Sequence, residues 1–406
     1  MGRRPDNRRH DMFGDMAQNV TDRIDPAEAD GDVYVGLEHL DPGSLRIRRW
    51  GTPADVIGQK LKFRRGDVIF GKRRAYQRKL AVAECDGICS AHAMVVRAKP
   101  KVVLPEFLPF LMQSDMFMER AVEISVGSLS PTINWKTLKV QEFPLPPLDE
   151  QRRIAAILWA ADETTETWLS AGQRASALID RLTAAFLAGE STPSQERRKT
   201  CYGMLPVEWE VVPCEKLFGS PPRNGWSAPA NAEGRGYPTL SIGAVRDGRV
   251  IPDGNVKLVD ANESEVSSYF LRPGDVLVVR GNGNRDLCGR CGVVTGVPKG
   301  CFYPDLLIRV AFDESRLIPE FAVLEWNSPT VHRSLLSRAK STNGIWKVNG
   351  KDLRKHEFIV PPLGEQQAFM DMIAGPRAAA ARIGDHLAKA RNVRACLLNN
   401  LVGGQR

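Results

Sequence analysis

The chain writes one junction twice. Pro144-Leu-Pro-Pro-Leu-Asp-Glu-Gln-Arg-Arg-Ile154 returns in thinner form as Pro361-Pro-Leu-Gly-Glu-Gln-Gln-Ala-Phe369. A single offset of 215 places Asn134 on Asn349, Lys136 on Lys351, Leu138 on Leu353, Phe143 on Phe358, Pro146 on Pro361 and Glu150-Gln151 on Glu365-Gln366. An offset of 214 places Pro105-Glu106-Phe107 on Pro319-Glu320-Phe321, and one of 208 places Gly66-Asp67-Val68 on Gly274-Asp275-Val276. The drift means that loops of different length join the same elements. Two copies are too few for a solenoid, so the pattern predicts a duplicated unit. Packing alone would explain the apolar matches; it explains the matched Asn, Lys, Glu and Gln less well.

Each copy has two parts. The first mixes apolar strand-like runs with turn signals: Phe63–Phe70, Leu80–Ala83 and Ala93–Arg97 in one, Pro273–Arg280 and Leu306–Val310 in the other. A helix follows near Pro105 and near Pro319, where proline suits the first turn because its missing N–H would have no partner there. This is the signature of an α+β globule. The second part is a long helix. Alternating steps of four and three from Ile154 land on Leu158, Ala161, Thr165, Trp168, Gly172, Ala175, Ile179, Leu182 and Phe186, the spacing of a coiled-coil seam. The same steps from Phe369 meet Ile373, Pro376, Ala380, Ile383, Leu387, Ala390, Arg394, Leu397 and Leu401. There Pro376 is expected to kink the helix or start it afresh, and Arg394 is a polar intrusion. Gly189 and Gly403-Gly404 are plausible stops.

The repeated junction is therefore the exit from each globule into each helix. Prolines cannot continue a strand ladder, and Asp149 and Glu150 sit where the helix dipole favours negative charge. The boundaries read as a globule over 1–148, a helix over 149–189, a polar turn-rich linker over 190–204, a second globule over 205–363 and a second helix over 364–402. The expected fold is two similar α+β globules separated by two long antiparallel coiled-coil helices with pseudo-two-fold symmetry. At 406 residues the chain can bury a core in each half.

Composition narrows the function classes. A formal charge of +8 favours a polyanionic partner without requiring one. Eight cysteines scattered along the chain suit a reducing, cytoplasmic setting. No run of 18 apolar residues occurs, so neither membrane insertion nor export is expected. Gly66–Lys72 imitates a phosphate-binding loop until Arg73 replaces the required hydroxyl residue. Asn327-Ser-Pro-Thr330 lacks the second proline and the ring that a base-amino methyltransferase motif wants, and no F-x-G-x-G cofactor loop is present. Cys288-Gly-Arg-Cys291 with Cys301 offers one close pair where tetrahedral zinc wants two, and the six histidines form no ligand spacing. Nothing here supports a catalytic or metal site.

What remains is basic and polar loops. Gly71–Lys79 carries Lys72, Arg73, Arg74, Arg78 and Lys79 with Tyr76 and Gln77, just after a strand. Cations neutralise phosphates, Arg takes guanine bidentately, and Gln can read adenine. Its counterpart holds Arg280, Asn282, Asn284 and Arg285. A further loop precedes each repeated junction: Ser128, Ser130, Thr132 and Asn134 in one copy, Lys340, Ser341, Thr342 and Asn343 in the other. These donors suit phosphates or base edges; a turn whose Ser and Asn cap themselves is the alternative reading.

These residues resemble the specificity subunits of Type I restriction-modification systems. The marks are the two junctions, Leu205-Pro-Val-Glu-Trp-Glu-Val211 at the start of the second globule, and the stretch from Gly71 to Ser90, and the likeness runs from about Tyr34 to the end. It implies two target recognition domains, each reading half of a split, asymmetric sequence in double-stranded DNA, with the helices as spacer and as docking surface for two methyltransferase subunits. Glu150, Gln151, Arg152, Glu365 and Gln366 are the helix residues expected to meet them. Two motor-nuclease subunits would complete a restricting complex, and S-adenosylmethionine, ATP and Mg²⁺ would belong to the partners, with no cofactor or metal in this chain. The competing classes are a fused or free-standing methyltransferase or nuclease, which S-adenosylmethionine cross-linking would reveal, and a coiled-coil scaffold that binds no DNA.

Overall fold

The computed structural model describes residues 8–29, 31–190, 192, 194, 196–229, 235–342 and 344–403. They form two compact units, one of residues 1–170 with 384–406, the other of residues 171–383.

In the first unit, β1 (Arg9–Met12) pairs antiparallel with β6 (Glu142–Leu145). Between them β2 (Ala17–Val20), β3 (Val68–Phe70), β4 (Leu80–Val82) and β5 (Met94–Ala98) form an antiparallel sheet in the order β2-β5-β3-β4. Its inner strand β3 and its neighbour β4 read as unbroken apolar runs, Val-Ile-Phe and Leu-Ala-Val, because both faces are covered there. With side chains alternating across the sheet, Val68, Phe70, Met94 and Val96 enter a core shared with Phe110 and Phe117, whereas Ile69 and Val95 enter a second core with Val35, Leu61 and Phe63. Phe110 lies on α1 (Leu108–Gln113) and Phe117 on α2 (Asp115–Glu123).

The second unit repeats this plan. Strand β7 (Glu210–Pro213) pairs antiparallel with β12 (Glu357–Val360). A six-stranded sheet contains β8 (Phe218–Asn224), β9 (Val276–Val279), β10 (Cys291–Val293) and β11 (Leu307–Phe312) in the order β8-β11-β9-β10, which matches the first unit strand for strand. Val276 and Val278 face one core, Leu277 and Val279 the other. Helices α4 (Pro319–Asn327) and α5 (Pro329–Leu336) stand where α1 and α2 stand, and Ser114 and Ser328 cap α2 and α5 by accepting from Phe117 N and Val331 N.

The expected strand over residues 63–70 is instead a strand ending at Phe63, a turn, and β3. Asp67 N donates to Arg64 O, and Gly66 at φ 88° supplies the positive φ of a type II turn. The turn repeats at Arg272–Asp275 with Gly274 at φ 88°. Arg97 holds the Asp67 carboxylate through two bonds of 2.7 Å.

The long helices are α3 (Leu148–Leu187) and α6 (Leu363–Leu401). Within the first unit Trp168 stacks on His386 at 4.6 Å and Asp162 meets Arg394; within the second Phe186 stacks on Phe369 at 4.1 Å. In the first unit Asp162 meets Arg394 while Trp168 meets His386, and in the second Gly172 lies near Ile383 while Phe186 meets Phe369, so the segments run antiparallel in each. Every residue of both expected seams is at least partly shielded from solvent.

Of the two outcomes expected at Pro376, a fresh start does not occur: α6 runs unbroken through it. Its ring removes one intrahelical bond, that to Met372 O, and Met372 is 48% exposed, so water can satisfy the freed carbonyl. The stretch expected to be a linker also departs from expectation. Arg197–Thr200 and Gly203–Pro206 pair as an antiparallel hairpin, and Arg197 Nη2 donates to Gly189 O at 2.7 Å just past the end of α3. Gly189, at φ 72°, closes that helix; Gly404 lies outside the described residues. No helix among the described residues is long and apolar enough to cross a membrane.

Candidate nucleic-acid interface

The structure brings together loops that the sequence presents separately. In the first unit the chain leaves β3 at Phe70, and the Gly71–Lys79 loop then meets the loop that precedes residue 134. Ile133 N donates to Lys72 O at 2.9 Å, Arg73 forms a β-bridge with Thr132, and Arg74 N donates to Pro131 O at 2.7 Å. The second unit repeats the pairing. Val348 N donates to Arg280 O at 2.9 Å, and Gly281 pairs with Lys347 in a small sheet that also holds Lys340–Thr342. The offset of 208 carries Lys72 to 280, and that of 215 carries Ile133 to 348, so the same backbone bond has survived under different side chains. Ile133 and Val348 are both buried and anchor the pairing beneath the surface.

The candidate cations fall into different roles. Arg73 and Arg74 are exposed, and Arg73 Nε donates to Ser130 Oγ at 2.8 Å. Arg78 pairs with Asp115 at the start of α2. Lys79 is half-buried and donates to Leu37 O. Lys72 is half-buried too, and burial, helped by the nearby Arg23 charge, lowers its ammonium pKa. Tyr76 is exposed and Gln77 half-buried on a short turn between Arg74 and Arg78. Both arginines sit in the left-handed region, at φ 57° and 52°. That costs an L-residue roughly 1–2 kcal/mol, and the flanking bonds hold it in place. Ser128 and Asn134 are exposed, and Thr132 Oγ1 donates to Ser130 O.

In the second unit Arg280 donates to Asp305 O, Arg285 stacks over the Trp346 ring at 4.7 Å, and the side chains of Asn282 and Asn284 accept from Asn284 N and Asp286 N. Lys340, Ser341 and Thr342 form a strand against Ile345–Lys347. Asn343 lies outside the described residues.

Gln151 and Gln366 do not face a partner, as the sequence reading expects of them. Both side chains are fully buried. Gln151 Oε1 accepts from Leu104 N, and its amide donates to Val102 O and Pro146 O. Gln366 Oε1 accepts from Ile318 N, and its amide donates to Arg316 O and Pro361 O. The repeated glutamine therefore ties the long helix to the approach of α1 or α4. Leu104 and Ile318 lie next to the proline pair that the repeat aligns, and that adjacency was the available signal. Glu150 and Arg152 remain at the surface in ion pairs with Arg153 and Asp149, while half-buried Glu365 accepts from Trp209 Nε1 at 3.1 Å.

The thiols of Cys288, Cys291 and Cys301 are buried, and burial raises each, Cys301 to about 12. No cluster of three or more potential metal ligands occurs among the described residues. Each unit instead presents a backbone-braced surface of arginine, amide and hydroxyl groups, suited to phosphate and base-edge contacts.

Comparison with known proteins agrees with this reading. Residues 57–170 match the family model for the Type I restriction modification DNA specificity domain. The Type I restriction enzyme EcoKI specificity subunit of Escherichia coli strain K12 is 26% identical over 280 residues, 68% of this chain and 60% of that protein. The StySPI specificity subunit of Salmonella potsdam is 22% identical over 289 residues, with the same shares of 68% and 60%. The chain thus spans about 60% of the length of these curated relatives. In fold, the chain is similar to the crystal structure of the Type-I restriction-modification system S subunit from M. genitalium, with a TM-score of 0.57 at 13% identity over 100% of this chain and 98% of that one. Residues 57–170 thus match a Type I restriction modification DNA specificity domain, and 68% of the chain is similar to named Type I specificity subunits.

Proposed function

We propose that this chain is the sequence-reading, non-catalytic subunit of a Type I restriction-modification complex in the cytoplasm, and that it recognises a two-part site in double-stranded DNA. The observation that carries the reading is the recurrence of one backbone pairing, Lys72 with Ile133 and Arg280 with Val348, beneath two differently furnished polar surfaces. A common frame with different side chains is what two unlike half-sites would require. Arg73, Arg74 and Arg285 would neutralise phosphates, giving salt-sensitive affinity, while amide and hydroxyl groups on the same loops would read base edges at roughly 1–3 kcal/mol per good contact.

The long helices, with half-buried Glu150 and exposed Arg152 at the start of α3, would dock two methyltransferase subunits, and two motor-nuclease subunits would join in a restricting complex. S-adenosylmethionine, ATP and Mg²⁺ would be held by those partners. The thiols of Cys291 and Cys301, buried and raised by that burial, support a reader over nucleophilic chemistry at that cluster. Methylome sequencing of cells with and without the gene tests the proposal. The expected result is loss of one bipartite methylated motif on deletion and its return on complementation. An unchanged methylome with the partner methyltransferase expressed, or S-adenosylmethionine labelling of this chain alone, would overturn it.

A further inference from the structure

Leu129, passed over in sequence between Ser128 and Ser130, is 92% exposed, and Val126 on the same loop is 77% exposed. A single exposed leucine is ordinary on a protein surface. This one is set apart by its frame. The loop is closed at its base by reciprocal backbone bonds between Val126 and Thr132, of 3.1 and 2.9 Å, and Gly127 turns it at φ 115°. Thr132 bridges to Arg73, Arg73 Nε holds Ser130 Oγ, and Arg74 N holds Pro131 O. The projection is therefore braced before any ligand arrives, with an apolar tip and exposed arginines at its root. In the second unit the corresponding hairpin presents Ile345, 40% exposed, beside Gly344 at φ 75°.

We infer that Leu129 is an apolar wedge that enters a base step of the bound duplex while Arg73 and Arg74 hold the flanking phosphates. Three lines of physical chemistry lead there. An exposed leucine gains free energy only by leaving water, and the two exposed arginines at the root of its loop, Arg73 and Arg74, favour a polyanion over an apolar protein face. On a duplex, the apolar surface available to a side chain carried between phosphate contacts is the base stack, and aliphatic wedges flanked by arginine unstack base steps in this way. The pre-formed loop removes the ordering cost that a flexible tip would incur on insertion. The inference deepens the proposed DNA-reading function and rests on it.

The test uses the full-length chain assembled with its methyltransferase subunits. Duplexes are selected from a random pool, and 2-aminopurine is walked through the selected sequence. Wild type should raise 2-aminopurine fluorescence at one step, reporting unstacking. Leu129→Ala should abolish that signal and weaken binding roughly ten- to hundredfold, the equivalent of burying one leucine side chain, with the salt dependence of affinity unchanged. Leu129→Met should restore the signal. Arg73→Ala should weaken binding and flatten the salt dependence yet keep the signal at saturation. Wild-type fluorescence and affinity in Leu129→Ala would overturn the wedge while leaving DNA reading intact. A wild-type complex that selects no duplex at low salt would overturn the functional reading itself, and the wedge with it.

Discussion

In the first unit Arg394 Nε on α6 lies 3.1 Å from Asp162 Oδ1 on α3, and both side chains are buried. Arg394 also donates to Gln113 Oε1 at 2.6 Å and Gly43 O at 3.4 Å, while Asp162 Oδ2 accepts from Arg46 Nε at 3.1 Å. Helix pair, sheet-side loop and α1 thus meet at one charged node. Removing one partner of such a node strands the other charge, so Asp162→Ala should cost about 3–5 kcal/mol in urea unfolding. Asp162→Ala with Arg394→Met should cost less than the sum of the two single changes. Strict additivity would show that the pair is not coupled.

Gln151→Ala leaves Leu104 N and the Val102 and Pro146 carbonyls without their partner. Three stranded backbone groups in a buried site predict a loss of about 3 kcal/mol by chemical denaturation. Gln366→Ala should behave alike, because the network recurs. A surface role for these glutamines predicts wild-type stability with weakened subunit assembly, the opposite pattern.

Two buried groups in the second unit give stability opposing dependences on pH. Burial, reinforced by the Arg338 charge, lowers His356 from its ordinary 6.5 to about 4. Its neutral form belongs to the folded state, so this contribution is complete above pH 6.5 and is lost as pH falls toward 4. Burial raises Glu325 well above its ordinary 4.5, against the bond its Oε1 accepts from Ile359 N. That contribution is complete below about pH 4.5 and is lost as pH rises through the folded value. Melting temperatures from pH 4 to 8 should therefore fall less steeply on acidification in His356→Leu than in wild type. In Glu325→Gln, the decline on raising the pH from about 5 should flatten. Curves parallel to wild type would refute either assignment.

Arg73→Ala and Arg285→Ala remove exposed cations from the two candidate surfaces. Each should weaken duplex binding and lower the slope of log affinity against log salt by about 1. Lys79→Ala should act mainly on stability, because its ammonium is engaged with Leu37 O. Filter binding across a salt series, paired with thermal melts, separates the two behaviours.

The sequence by itself determined the elements and their duplication. Apolar periodicity records which face of a strand or helix leaves water, and that information is local: the Val68–Phe70 run, the seam from Ile154 and the repeated exit at Pro146 and Pro361 were all legible. It also picked out the cationic and hydroxyl loops. It did not show that residues 72–74 and 131–133 share a backbone pairing, because that bond joins two offsets which sequence comparison reads one at a time. Gln151 looked like a surface polar residue and Arg394 a flaw in the seam for the same reason. A polar side chain is a lock or an intrusion depending on what surrounds it, and Leu104, Val102, Asp162 and Gln113 reach those positions only when segments tens to hundreds of residues away fold against them. Tertiary structure alone settled those partners, since the free energy of a buried hydrogen bond or charge resides in the pair rather than in either residue.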